Sequence, residues 1–197
     1  MNWMLKKLVD YIKVVFILFS LIGYSSLIAQ DDLCDSSVPS SVKKLYEKGK
    51  NYKKYDYKHR VKYFKEALEV EEECLPCIWE LAKMSFRRRY TSKEPMDFPK
   101  KYFLHLERLC PSFHADVFYY LSLIYYMDKN DCEAVNYFEK FLEFPTDNKK
   151  KIAINYKDQK LYVEASLEMS KYFCDFYSNP VPFDPRVLRN VSTADKD

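Results

Sequence analysis

The sequence predicts an all-α fold, a solenoid of about three helical hairpins closed by a capping helix. Two observations carry this. Apolar residues recur at spacings of three and four rather than two, which is the helical period. Beyond residue 29 the chain has a single glycine, Gly49, too few for the tight turns that hairpin strands need. A third observation separates a solenoid from an ordinary helical bundle: three stretches repeat one order of large and small residues in the same phase.

The clearest copy is Phe118, Leu121, Ser122 and Tyr125, followed by Ala134 and Phe138 and closed by Pro145. The large residues pack helix on helix, while Ser122 and Ala134 are small enough to let two backbones approach. Pro145 ends the second helix because it lacks the N–H that the helix requires. This is the order of a tetratricopeptide repeat. Walking backwards, Trp79, Ala82 and Phe86, then Phe103, Leu106, Leu109 and Pro111, keep the register. Extra residues fall in the turn, where Tyr90–Pro99 reads as a loop. Leu45, Gly49, Tyr52, Phe64, Ala67 and Val70 give a looser first copy, with Gly49 where the repeat wants a small residue. Pro76 closes that copy late, so Glu71–Glu73 is either an extra helical turn or a longer connection. Along Asp158–Phe176 a capping helix is expected, with Leu161, Ala165, Leu167, Met169, Tyr172, Phe173 and Phe176 as its apolar set.

Residues 1–29 read as a secretory signal peptide: Lys6, Lys7 and Lys13, an apolar run from Val14 to Ile28, and small residues up to Ala29. The run is shorter than the ~20 residues that span a bilayer comfortably, which favours cleavage over an uncleaved anchor. The expected destination is the periplasm or the outer membrane's surroundings. Without the leader the formal charge falls from +3 to +1 (29 basic against 28 acidic residues). No domain-wide positive field is left for nucleic acid. Residues 30–40 read as a disordered start, 41–177 as the repeat domain and 178–197 as a proline-rich linker.

All six cysteines follow the leader, an even count that permits disulfides with 15 possible pairings. Cys74-Leu75-Pro76-Cys77 has the C-x-x-C spacing of a redox pair. Such a pair belongs after a strand, at a helix start that lowers the thiol pKa. Here it is expected between two helices, which favours structural thiols or a structural disulfide. Zinc would need further ligands at C-x-x-C or H-x3-H spacing, and none accompany it.

His59, His105 and His114 are scattered, and no glycine-rich phosphate loop, H-E-x-x-H or G-x-S-x-G occurs. The expectation is a protein without catalysis, cofactor or metal. Lys43 to Lys65 is dense in lysine interleaved with tyrosine, and Arg87-Arg88-Arg89 closes the first helix of the second copy. Each is either a solvated helix face or a groove for an acidic partner or extended peptide. In superhelices of this kind the first helices line the concave side. The partner contacts expected from repeat position are therefore Tyr46, Lys50, Glu80, Lys83, Tyr119 and Ser122.

The leader ending Ile28-Ala29-Gln30, the repeats and the linker Asn179-Pro180-Val181-Pro182-Phe183 with Val187-Leu188 and Val191-Ser192-Thr193 resemble the N-terminal part of envelope proteins of Bacteroidetes-type bacteria. In that family tetratricopeptide repeats precede a WD40-like β-propeller and often an OmpA-like peptidoglycan-binding domain, and some members serve gliding or type IX secretion machinery. The sequence stops at Asp197, where the first propeller strand would begin, so the roles of those domains do not carry over. The resemblance implies a scaffold or protein-binding module in the bacterial envelope. The rival expectations are an exported thiol redox factor using Cys74 and Cys77, and a purely structural tether.

Overall fold

The computed structural model describes Cys34 and residues 36–179. The leader 1–29 and the linker beyond Asn179 lie outside the described residues. Among the described residues there are seven α-helices and no strand: α1 Lys43–Lys50, α2 Tyr57–Val70, α3 Leu75–Ser92, α4 Asp97–Leu109, α5 Ala115–Met127, α6 Asp131–Glu143 and α7 Tyr156–Ser178. None of them is long and apolar enough to cross a membrane.

Local chemistry sets most of the boundaries. α1 stops at Asn51, whose side chain accepts the Lys54 N–H at 3.1 Å and turns the chain. Asp56 caps α2 by accepting the His59 N–H at 2.9 Å. α3 has Pro76 in its first turn, where no N–H is needed. Lys93 and Lys129, the two described non-glycine residues with positive φ, follow α3 and α5 in left-handed conformations that turn the chain into the next helix. Asn130 caps α6 through the Glu133 N–H at 3.4 Å.

Each helix packs mainly on its neighbours in the chain, with α5 and α7 as the main longer-range pair. The short connections make α1/α2, α3/α4 and α5/α6 antiparallel hairpins. Phe118, Leu121, Ser122, Ala134 and Phe138 are all buried at the α5/α6 contact, and Tyr125 stacks on Tyr137 at 5.3 Å. Ala82, Phe86, Phe103 and Leu106 do the same between α3 and α4. Val42, Phe64, Ala67, Cys74, Cys77 and Leu81 form a smaller cluster at the α1 end, joined to the main core through Leu68 and Tyr102.

Several expectations are corrected. Tyr52 and Val70 are exposed, because α1 ends before Tyr52 and Val70 is the last residue of α2. Of the two alternatives left open for Glu71–Glu73 the connection is the one found, as three carboxylates are unfavourable at a helix C-terminus. The Tyr90–Pro99 loop shrinks to residues 93–96: α3 runs on to Ser92, and Pro99 sits buried in the first turn of α4. Cys34 and Val38, in the stretch expected to be disordered, are tied down: Cys34 is bonded to Cys110 and Val38 packs on the smaller cluster.

α7 differs most. Its core-facing residues are Gln159, Val163, Ser166, Leu167 and Ser170. Of the apolar set read from the sequence only Leu167 is buried; Leu161, Ala165, Met169, Tyr172, Phe173 and Phe176 lie on exposed or boundary positions. The helix carries two stripes, and the more apolar one faces outward.

Candidate partner-binding face

Side-chain contacts link α1 to α3, α3 to α5 and α5 to α7 in turn, and these define the candidate face. At the α1 end, Glu80 of α3 receives two ammonium groups: Lys50 of α1 and Lys83 of α3, each 3.2 Å from the same carboxylate oxygen. Tyr46 lies alongside, its ring 5.9 Å from the Lys50 nitrogen. Burial alone would lower the Lys50 pKa, but Glu80, with Tyr46 and Glu47 adding to it, outweighs burial and raises it. The structure thus brings together four of the expected contacts, Tyr46, Lys50, Glu80 and Lys83.

Lys83 also lies over the Trp79 ring at 4.6 Å, and that indole meets His114 at 5.0 Å and Tyr120 at 6.2 Å. His114 starts α5 by accepting the Asp116 N–H on Nδ1 at 3.1 Å. Burial, with the Lys83 charge adding to it, pushes the His114 pKa down to about 4, so the imidazole is neutral at pH 7. Asp116 is buried beside it. Desolvation raises its carboxyl to about 6 against a hydrogen bond with Gln159 of α7 and the charges of Lys83 and Arg87. Among the described residues, one oxygen of Asp116 and the amide oxygen of Gln159 are buried acceptors without a partner.

Tyr119 continues the face towards Tyr162 of α7. It is half-buried, with its ring 5.6 Å from Phe141, and burial pushes its hydroxyl up to about 12. Ser122 is a correction: it is fully buried, and its hydroxyl donates to the Tyr119 carbonyl at 2.8 Å. It is the small residue that lets α5 and α6 close up, and no partner reaches it.

Between α2 and α3 the face opens into a cavity of about 540 Å³. Arg60, Lys83, Arg87 and Arg88 supply its positive charge, Glu80 its one carboxylate, and Tyr57 a flat wall. The Arg88 guanidinium stands over the Tyr57 ring at 5.0 Å. Arg60 donates to the Gly49 carbonyl at 2.7 Å, which fixes its stem. The arginine run divides its labour: Arg89 donates to the Pro95 carbonyl at 2.7 Å, closing the α3–α4 turn, while Arg87 and Arg88 are exposed. Tyr57 belongs to the lysine- and tyrosine-rich stretch offered as a groove; sequence position alone did not single out Arg60, Asp116, Gln159 or Tyr162. Asp116 carried a usable signal, a lone carboxylate amid the apolar start of α5; Gln159 carried none.

The cysteines form three disulfides: Cys34–Cys110, Cys74–Cys77 and Cys132–Cys174. Cys74 caps α3 and Cys77 lies in its first turn, so the pair is at a helix start and not in a linker as expected. Both sulfurs belong to buried residues. Among the described residues no group of three His, Cys, Asp or Glu side chains could hold a metal ion.

No protein-family model matches this chain, and no curated protein matches it.

Proposed function

We propose that the protein is a non-catalytic binding module that takes an acidic, extended segment of a partner protein along the face formed by α1, α3, α5 and α7. On this reading the helix pairs are tetratricopeptide-type hairpins, the odd-numbered helices line the concave side, and the module works in the bacterial envelope, in a setting such as secretion or gliding machinery. The observation that carries it is the cavity of Arg60, Lys83, Arg87 and Arg88 beside flat tyrosines. Among the described residues no carboxylate is bonded to three of those four cations, and Glu80 is already shared by Lys50 and Lys83. Bidentate guanidinium groups suit carboxylates, and tyrosine gives contact area at low entropic cost.

The test is fluorescence anisotropy with an acidic peptide, a neutral peptide of the same length and a basic one. The acidic peptide binds best, its affinity falls with salt, and Lys83→Glu/Arg87→Glu weakens it at least tenfold. Equal binding of the three peptides refutes the reading. Loss of the same envelope proteins from crosslinked co-purifications of the variant would then name the partner.

A second reading, an exported thiol redox factor, rests on the Cys74–Cys77 disulfide at the start of α3, where a helix N-terminus stabilises a thiolate. Burial of both residues opposes it, since exchange needs an attacking thiol to reach sulfur. Turnover of a model disulfide substrate that is abolished by Cys74→Ser would establish it.

A further inference from the structure

We propose that the outward face of α7 is a self-association surface on which a second copy of this chain lays its own α7 antiparallel. Leu161, Ala165, Met169, Tyr172 and Phe176 follow one another at steps of four, four, three and four residues, the spacing of a helix–helix seam. This seam lies away from the core stripe of Val163, Ser166, Leu167 and Ser170.

The seam is large and already shaped. Leu161 is 67 % exposed, Tyr172 65 % and Tyr177 66 %. Tyr172 and Phe176 stack at 6.4 Å, Phe173 and Tyr177 at 6.3 Å, and the two stacks meet edge-on at 5.5 Å. With aromatic side chains at roughly 200 Å² each, the seam together with the flanking Tyr162, Phe173 and Tyr177 presents about 700 Å² per copy. A monomer rarely leaves such a contiguous patch uncovered. Two copies together offer on the order of 1,400 Å², within the usual range for a specific interface. α7 is also held rigidly beforehand. The Cys132–Cys174 disulfide fastens it to α6, and Tyr126 of α5 donates to the Met169 sulfur at 3.4 Å.

Charge selects a second copy as the occupant. Lys160, Glu164, Lys171 and Asp175 run along one flank of the seam; within one copy Lys160 stands 3.8 Å from Glu164 and Lys171 3.1 Å from Glu139, exposed pairs that hold weakly and exchange partners on association. In a two-fold antiparallel pair the same flanks of the two helices adjoin. Placing Lys160 beside the second copy's Asp175 also places Glu164 beside the second copy's Lys171, because both pairs share one midpoint along α7. In that register Ala165 faces the second copy's Met169, small against large. Glu168 lies near the midpoint and meets its own symmetry mate, the one like-charge encounter in the arrangement.

Sedimentation equilibrium of the full chain with its disulfides formed tests this. The wild type is a reversible dimer at tens of micromolar. Tyr172→Glu, at an exposed position that leaves the fold intact by circular dichroism, is a monomer. Lys160→Glu and Asp175→Lys each raise the dimer Kd about tenfold, and the two combined in one chain restore it to within about threefold. Glu168→Gln tightens the dimer. A monomer at every concentration, association that Tyr172→Glu leaves unchanged, or failure of the double reversal to restore affinity overturns the proposal. So does a dimer that appears only when residues 180–197 are removed, because the chain's own tail would then be the occupant. These readouts leave peptide binding untouched, so failure here is distinguishable from failure of the binding reading.

Discussion

A methyl group added at Gly49 would sit 2.7, 2.8 and 2.9 Å from three carbons of the Phe64 ring. Phe64 is fully buried in the smaller cluster and meets Tyr46 edge-on at 5.9 Å, so the ring has little room to retreat. Gly49→Ala therefore sets two effects against each other. Alanine improves helix propensity by about 1 kcal/mol. Overpacking a filled site costs about 1–3 kcal/mol. The expected balance is a loss of about 1 kcal/mol, or ~3 °C in Tm for a domain of this size. Urea unfolding followed by far-UV circular dichroism, with disulfides intact, measures it. Phe64→Leu shortens the ring and should absorb the methyl, so the double variant loses less than the sum of the singles by at least ~0.5 kcal/mol. A Gly49→Ala protein more stable than wild type, or strictly additive effects, would refute close packing of α1 on α2 at this point.

Asp116 and His114 should pull stability in opposite directions with pH. Asp116 holds its proton more tightly folded than unfolded, so its contribution is best at acid pH and is lost as pH rises from about 4 to about 6. His114 is depressed to about 4, so its contribution is present above the unfolded value of 6.5 and is lost as pH falls towards 4. Asp116→Asn removes the first slope: relative to wild type it should gain about 3 kcal/mol between pH 4 and pH 7 in paired thermal melts. A pH-independent difference would contradict the assignment. Removing the Cys132–Cys174 disulfide, which closes 42 residues, should cost about 4 kcal/mol in a chain-entropy account, and removing Cys74–Cys77, which closes 3, under about 2; the reverse order in denaturant midpoints would contradict it. Phe138→Ala should cost about 3–5 kcal/mol, while Tyr52→Ala changes stability by less than about 0.5, as measured by urea midpoints.

The repeat phase exposed most of the helices because burial leaves a periodic trace: Phe118, Leu121, Ala134 and Phe138 are core residues and are spaced as such. It misjudged α7 because periodicity reports that an apolar stripe exists, not which side it faces. When a helix has a core stripe of Gln159, Ser166 and Ser170 and an outer stripe of Leu161, Tyr172 and Phe176, the louder stripe wins the reading. Tyr46, Lys50, Glu80 and Lys83 were placed together by repeat position, since they share one side of neighbouring helices. Arg60 and Gln159 were not, because each reaches the face from the flank of its helix, a matter of packing angle that sequence spacing does not encode. The disulfide pairing was equally silent, with Cys34 and Cys110 lying 76 positions apart.

A row of helices that touch chiefly their neighbours is open to peeling, since the last helix can leave without disturbing the rest. The long-range disulfides alter that. Cys34–Cys110 straps the α1 end across to the close of α4, and Cys132–Cys174 buttons α7 to the start of α6. Fraying at either tip is thereby suppressed, and the weakest joint moves inward to the uncrosslinked seam between α4 and α5, where Trp79, Phe113, His114 and Tyr120 meet. Slow amide exchange should accordingly extend almost to the ends of the helical stack, and reduction should convert a single cooperative transition into stepwise loss from both ends.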